Sequence, residues 1–116
     1  MLKDGTGFKT VYVACGYTDL RCGIDGLARK IGTEFDLNPF DTGTLFLFCG
    51  KRADRIKGLL YEGDGFLLLY KRLADGRFQW PRTSAEAMAI TPEQYRMLMD
   101  GFSIRKTIRS STPKRL

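Results

Sequence analysis

Hydrophobic residues along this chain fall into short blocks whose spacing alternates between that of a strand and that of a helix. Val11–Cys15 is an apolar run ending at Gly16, the pattern of a buried strand. Ile24, Leu27, Ala28, Ile31 and Phe35 then recur at helical spacing, with Arg29, Lys30 and Glu34 opposite, which predicts a helix over Ile24–Phe35. The Asn38-Pro39 step and Gly43 mark a loop. Thr44–Cys49 carries large apolar side chains at consecutive positions, as a central strand covered on both faces does.

Two β-type runs follow, Arg55–Glu62 and Phe66–Leu73, flanking Asp64-Gly65, a strong hairpin signal. Ala74-Asp75-Gly76-Arg77 makes a second turn, after which Phe78–Trp80 is expected as a short strand stopped by Pro81. Met88–Ile90 adds an edge strand. The last helix has a full set of entry signals: Thr91 as N-cap, Pro92 at the first position and Gln94 to close a capping box. Tyr95, Leu98 and Met99 give it an apolar face, and Gly101 stops it. The expected fold class is α+β, a mostly antiparallel sheet of about four to six strands with two or more packed helices. Residues 1–104 read as one domain and 105–116 as a basic, flexible tail.

Charge changes this picture at the hairpin. With Asp64-Gly65 as a two-residue loop, Lys57 lies opposite Arg72, and one residue of slippage sets it opposite Lys71. Arg55 shares the face of Lys57. Like charges directly opposite destabilise a strand pair by up to about 1 kcal/mol, so the crowding points to an anion. The whole chain carries a net charge of +6, with residues 51–82 at +4 and residues 105–116 at +5. The candidate polyanion contacts are Lys51, Arg52, Arg55, Lys57, Lys71, Arg72 and Arg77, with Arg105, Lys106 and Arg109 in the tail. Arg21 either meets a phosphate or pairs with Asp19. Tyr61 and Trp80 are candidate stacking or anchoring residues, Trp80 reading more readily as a packing residue.

Composition removes several chemistries. The chain has 116 residues and no histidine, so Ser-His and Cys-His nucleophile pairs are excluded. Cys15, Cys22 and Cys49 lack paired spacing for zinc, and no phosphate-cradling glycine motif is present. Asp19 with Asp25, or Glu62 with Asp64, would be the pairs for a magnesium nuclease, but a helix start and a turn account for them. The expectation is a non-enzyme with no metal and no cofactor. No apolar run approaches a membrane span and the N-terminus has no signal core, so a cytoplasmic protein that does not meet a membrane is expected.

VYVACGYTDLRCGIDGL, followed by GKRADRIKGLLYEGDGFLLLYKRLADGRFQWP, resembles the TnpB-type accessory protein of bacterial insertion-sequence family sixty-six. The Ile90-Thr91-Pro92 helix entry and the exit at Gly101–Arg105 fit the same pattern. The family is unlike the RNA-guided nucleases that share its abbreviation. The resemblance implies an accessory protein of transposition, encoded beside a larger transposase that breaks and joins the DNA, and supplies no catalytic residues to carry over. Cys22 stands where the pattern usually has a polar residue, and Leu60-Tyr61 where an aromatic pair is common. DNA is then the expected partner of the basic face, with docking on the transposase as the alternative; a homodimer is also compatible with the sequence.

Overall fold

The computed structural model describes residues 7–82 and 86–104. The elements in chain order are β1 (Thr10–Ala14), α1 (Ile24–Thr33), β2 (Thr44–Cys49), β3 (Arg55–Tyr61), β4 (Phe66–Arg72), β5 (Ala87–Ile90) and α2 (Pro92–Met99). The five strands form one sheet in the order β4-β3-β2-β1-β5. Only β1 and β2 run parallel, joined through α1; every other neighbouring pair is antiparallel. The α+β expectation is met.

Strand alternation sorts the side chains into two cores. On one face Leu27 and Ile31 of α1 pack with Ala14, Phe46, Phe48 and Leu59. On the other, Tyr95, Leu98 and Met99 of α2 join Val11, Val13, Leu45, Leu47, Ile56 and Ile90. β2 lies mid-sheet between these layers and is buried at all six positions, which is why its sequence shows no alternation. The end of α2 is locally determined at both termini. Thr91 Oγ1 accepts from the Gln94 N–H at 3.1 Å, and Gln94 Oε1 accepts from the Thr91 N–H at 2.8 Å. Gly101 N–H donates to Leu98 and Phe102 N–H to Met97, the paired bonds of a Schellman stop.

Three expectations are corrected. First, α1 ends at Thr33, not Phe35: Glu34 caps it and Asp36 turns the chain at φ 55°. Second, the hairpin turns one residue earlier. Glu62 N–H donates to Gly65 C=O at 2.8 Å, so Gly63-Asp64 is the two-residue loop. Gly63, at φ 98°, takes the first loop position, where a type II′ turn places a glycine because a side chain would be strained. Lys57 therefore pairs with Tyr70, Arg55 with Arg72 and Ile56 with Lys71. Third, Phe78–Trp80 is not a strand. Its Phe78 N–H donates to Ala53, and Trp80 Nε1 donates to Ala14 C=O at 2.8 Å, single bonds rather than a ladder. The expected tail at 105–116 lies outside the described residues. No described helix is long and apolar enough to cross a membrane.

Candidate nucleic-acid interface

One end of the sheet, on the α1 face, is hollowed into a cleft of about 940 Å³. Its first wall is the loop after β1. Thr18 is buried and its N–H donates to Cys49 C=O at 2.8 Å, which lays Tyr17–Arg21 across the end of β2. Leu20 comes so close to Gly50 that a Cβ there would sit 3.1 Å from Leu20 Cδ1, so glycine at position 50 is what lets the loop lie down. The second wall is the tight connection from β2 to β3. Ala53 N–H donates to Gly50 C=O at 2.9 Å, and Lys51 and Arg52 project exposed from the turn. Phe78 N–H to Ala53 C=O and Leu73 N–H to Asp54 C=O fasten this turn from beneath. Arg55 and Lys57 of β3 and Leu68 and Tyr70 of β4 complete the lining.

Five cations thus line the cleft (Arg21, Lys51, Arg52, Arg55 and Lys57) against one carboxylate, Asp19. Two of the five are held by acids. Arg21 grips Asp19 with Nε at 3.0 Å from Oδ1 and Nη2 at 2.7 Å from Oδ2. That hydrogen bonding holds the Asp19 carboxyl down at about 2, below its ordinary 3.8. Arg55 pairs with Asp54 at 2.8 Å, and the Asp54 carboxyl is likewise lowered by that bond. Lys57 Nζ donates to Cys22 C=O at 3.3 Å, and no carboxylate among the described residues pairs with its charge. Lys51 and Arg52 make no salt bridge among the described residues. Between the cations lie Leu20, Leu68 and two exposed rings, Tyr17 and Tyr70, at 41% and 54% exposure. Cations around exposed aromatic surface suit a phosphate-bearing chain whose bases stack.

The sequence-derived candidates divide accordingly. Lys51, Arg52, Arg55, Lys57 and Arg21 come together, with Arg21 engaged by Asp19. Arg72 shares their face opposite Arg55 but stands outside the cleft lining. Lys71 follows Ile56 onto the other face, and Arg77 is exposed in the loop after β4. Tyr61 is at the far end of β3, where its hydroxyl donates to Gly63 C=O and its ring packs on Phe40 and Phe66. Trp80 is 5% exposed and spent on Ala14, so it offers no stacking platform. Arg105, Lys106 and Arg109 lie outside the described residues. Tyr17 is a lining residue that sequence reasoning missed. Its loop has no periodicity, and only the Thr18–Cys49 bond brings it to the basic residues.

The sequence pattern of IS66 Orf2-like proteins matches residues 9–109, which takes in both walls and the floor of the cleft. The chain belongs to the IS66 Orf2-like family. That membership makes it a transposition-associated accessory protein. Two relatives from Sinorhizobium fredii (strain NBRC 101917 / NGR234) are uncharacterized proteins. One, y4hO, is 40% identical over 105 residues, covering 90% of each chain. The other, y4jC, is 32% identical over 101 residues, covering 87% of this chain and 85% of its own. No solved structure matches significantly. Among the described residues no group of three or more Cys, Asp or Glu side chains is placed to hold a metal ion.

Proposed function

We propose that this protein serves transposition by binding DNA through the cationic cleft, without catalysis of its own. The observation that carries the reading is the convergence of Lys51, Arg52, Arg55 and Lys57 beside the exposed rings of Tyr17 and Tyr70. Phosphate contacts from such a set give affinity that falls steeply with salt and carries little sequence information. The rings add base stacking wherever the strand is unpaired, worth about 1–3 kcal/mol per base.

The test is binding of the full chain to labelled insertion-sequence end DNA and to scrambled DNA, with and without excess nonspecific polyanion. Wild type is expected to bind both, and Lys57→Ala to bind both more weakly. A preference for end DNA that survives competition would add specificity. Absence of binding at low salt would refute the reading. Retention of the transposase on immobilised protein, lost in Lys57→Ala, would then assign the cleft to a protein partner.

A further inference from the structure

Among the described residues β4 is the outer strand of the sheet, paired with β3 alone. Glu62 and Gly65 form a hydrogen-bonded pair across the hairpin, so alternation directs the backbone groups of Leu67, Leu69 and Lys71 to β3. The N–H and C=O groups of Phe66, Leu68, Tyr70 and Arg72 point away from the sheet. Such an edge is a template for another strand, and proteins usually blunt it with charge, proline or a bulge. Here Phe66-Leu67-Leu68-Leu69-Tyr70 is uncharged throughout, free of proline and regular in register with β3. Its charges sit at the two ends. Lys71 and Arg72 close the strand, and Glu62 and Asp64 flank its start.

We propose that β4 is the seam of a symmetric homodimer, in which the β4 strands of two copies pair antiparallel about a twofold axis at Leu68. The occupant follows from charge and side-chain complementarity. Antiparallel pairing lays the basic end of one strand on the acidic end of the other. With the axis at Leu68, outward-directed residues meet outward-directed residues, as the ladder requires. Leu68 then faces Leu68 of the second copy, Leu67 faces Leu69, and Phe66 faces Tyr70. Arg72 faces Asp64 at each end. Moving the axis to Leu69 sets Arg72 on Phe66 and Lys71 on Leu67 and loses both ion pairs. Because the twofold axis is normal to the sheet, the two clefts open on the same side, each with Tyr70 beside the seam. The inference does not depend on what the clefts bind.

The experiment is sedimentation equilibrium of the full chain, of mass 13.1 kDa, over a concentration series. Wild type is expected at about twice the chain mass. Arg72→Asp sets two carboxylates opposite each other at both ends of the seam, and Asp64→Arg sets two cations there. Each single change should weaken dimerisation about tenfold or more, and the two combined should restore it to within about threefold. Tyr70→Pro deletes an outward N–H while sparing every backbone hydrogen bond to β3, so it should give a folded monomer by circular dichroism and sedimentation. A wild type that stays monomeric at its solubility limit would overturn the proposal. So would a combined charge exchange that dissociates as far as either single change, or a folded Tyr70→Pro that remains a dimer.

Discussion

The register of the β3–β4 hairpin makes a prediction that charge alone does not, because it places Lys57 inside the cleft and Lys71 on the reverse face. Replacing either lysine by alanine removes one positive charge from the same pair of strands. For duplex DNA the logarithm of affinity falls against the logarithm of salt with a slope of about −0.9 per phosphate neutralised. If all five lining cations engage phosphates, raising salt from about 50 to about 200 mM weakens wild-type binding about 500-fold. Lys51→Ala/Arg52→Ala leaves three, and the same change then costs about 40-fold, a slope shallower by about 1.8. Lys57→Ala should reduce the slope by about 0.9, and Lys71→Ala should leave it unchanged. Fluorescence anisotropy with an end-labelled duplex across a salt series reads all four proteins. A slope that flattens as much in Lys71→Ala as in Lys57→Ala would refute the assignment of the binding face, as would an unchanged slope in Lys51→Ala/Arg52→Ala.

Trp80→Phe should cost about 1–3 kcal/mol in urea unfolding, because Ala14 C=O loses a buried donor, while DNA affinity of the folded variant holds. Loss of affinity at unchanged stability would instead give Trp80 a direct contact. Burial pushes the Cys49 thiol up to about 12, from 9.0 for a free thiol. The raised value means that Cys49 supports the fold fully below pH 9 and that this support is lost as pH rises towards 12. Stability of Cys49→Ala should therefore fall less steeply than wild type above pH 9, by up to about 1.4 kcal/mol per pH unit; parallel curves would contradict this. The Asp19 carboxyl, followed by NMR, should titrate near 2, so its pairing with Arg21 persists above the ordinary 3.8 and is lost as pH falls through 2. Arg21→Ala should return the midpoint towards 3.8, and no movement would mean that the guanidinium is not its cause.

Strands and helices were legible in the sequence wherever burial imposes a period. α2 was readable almost to the residue, because Thr91, Pro92, Gln94 and Gly101 act through bonds within a turn of themselves. The basic face was legible only in part. Glu62-Gly63-Asp64-Gly65 contains two overlapping turn signals, and a choice between them shifts every opposite neighbour on β4. That shift leaves Lys71 on the reverse face, where the Asp64-Gly65 loop would also have put it, and brings Tyr70 rather than Arg72 opposite Lys57. Tyr17 was missed, and Trp80 was favoured as packing without its partner being visible, for another reason. Both lie in irregular backbone, where exposure is set by one distant bond, Thr18 to Cys49 in the first case and Trp80 to Ala14 in the second. No local pattern encodes such a bond.

The strand order also fixes when the cleft comes into being. β2, β3 and β4 form a meander whose partners are close in sequence, so its loops close at little entropic cost. β1 is different: it must find β2 across α1 and β5 across most of the chain. During synthesis β1 is the first strand to emerge and the last to have both its edges covered, since Ala87–Ile90 follows every other strand. Tyr17–Arg21 continues directly from β1. The first wall therefore depends on the pairing of β1 with β2 across α1, and a chain cut short before β5 would carry the basic turn while leaving the strand that anchors its opposite wall half paired.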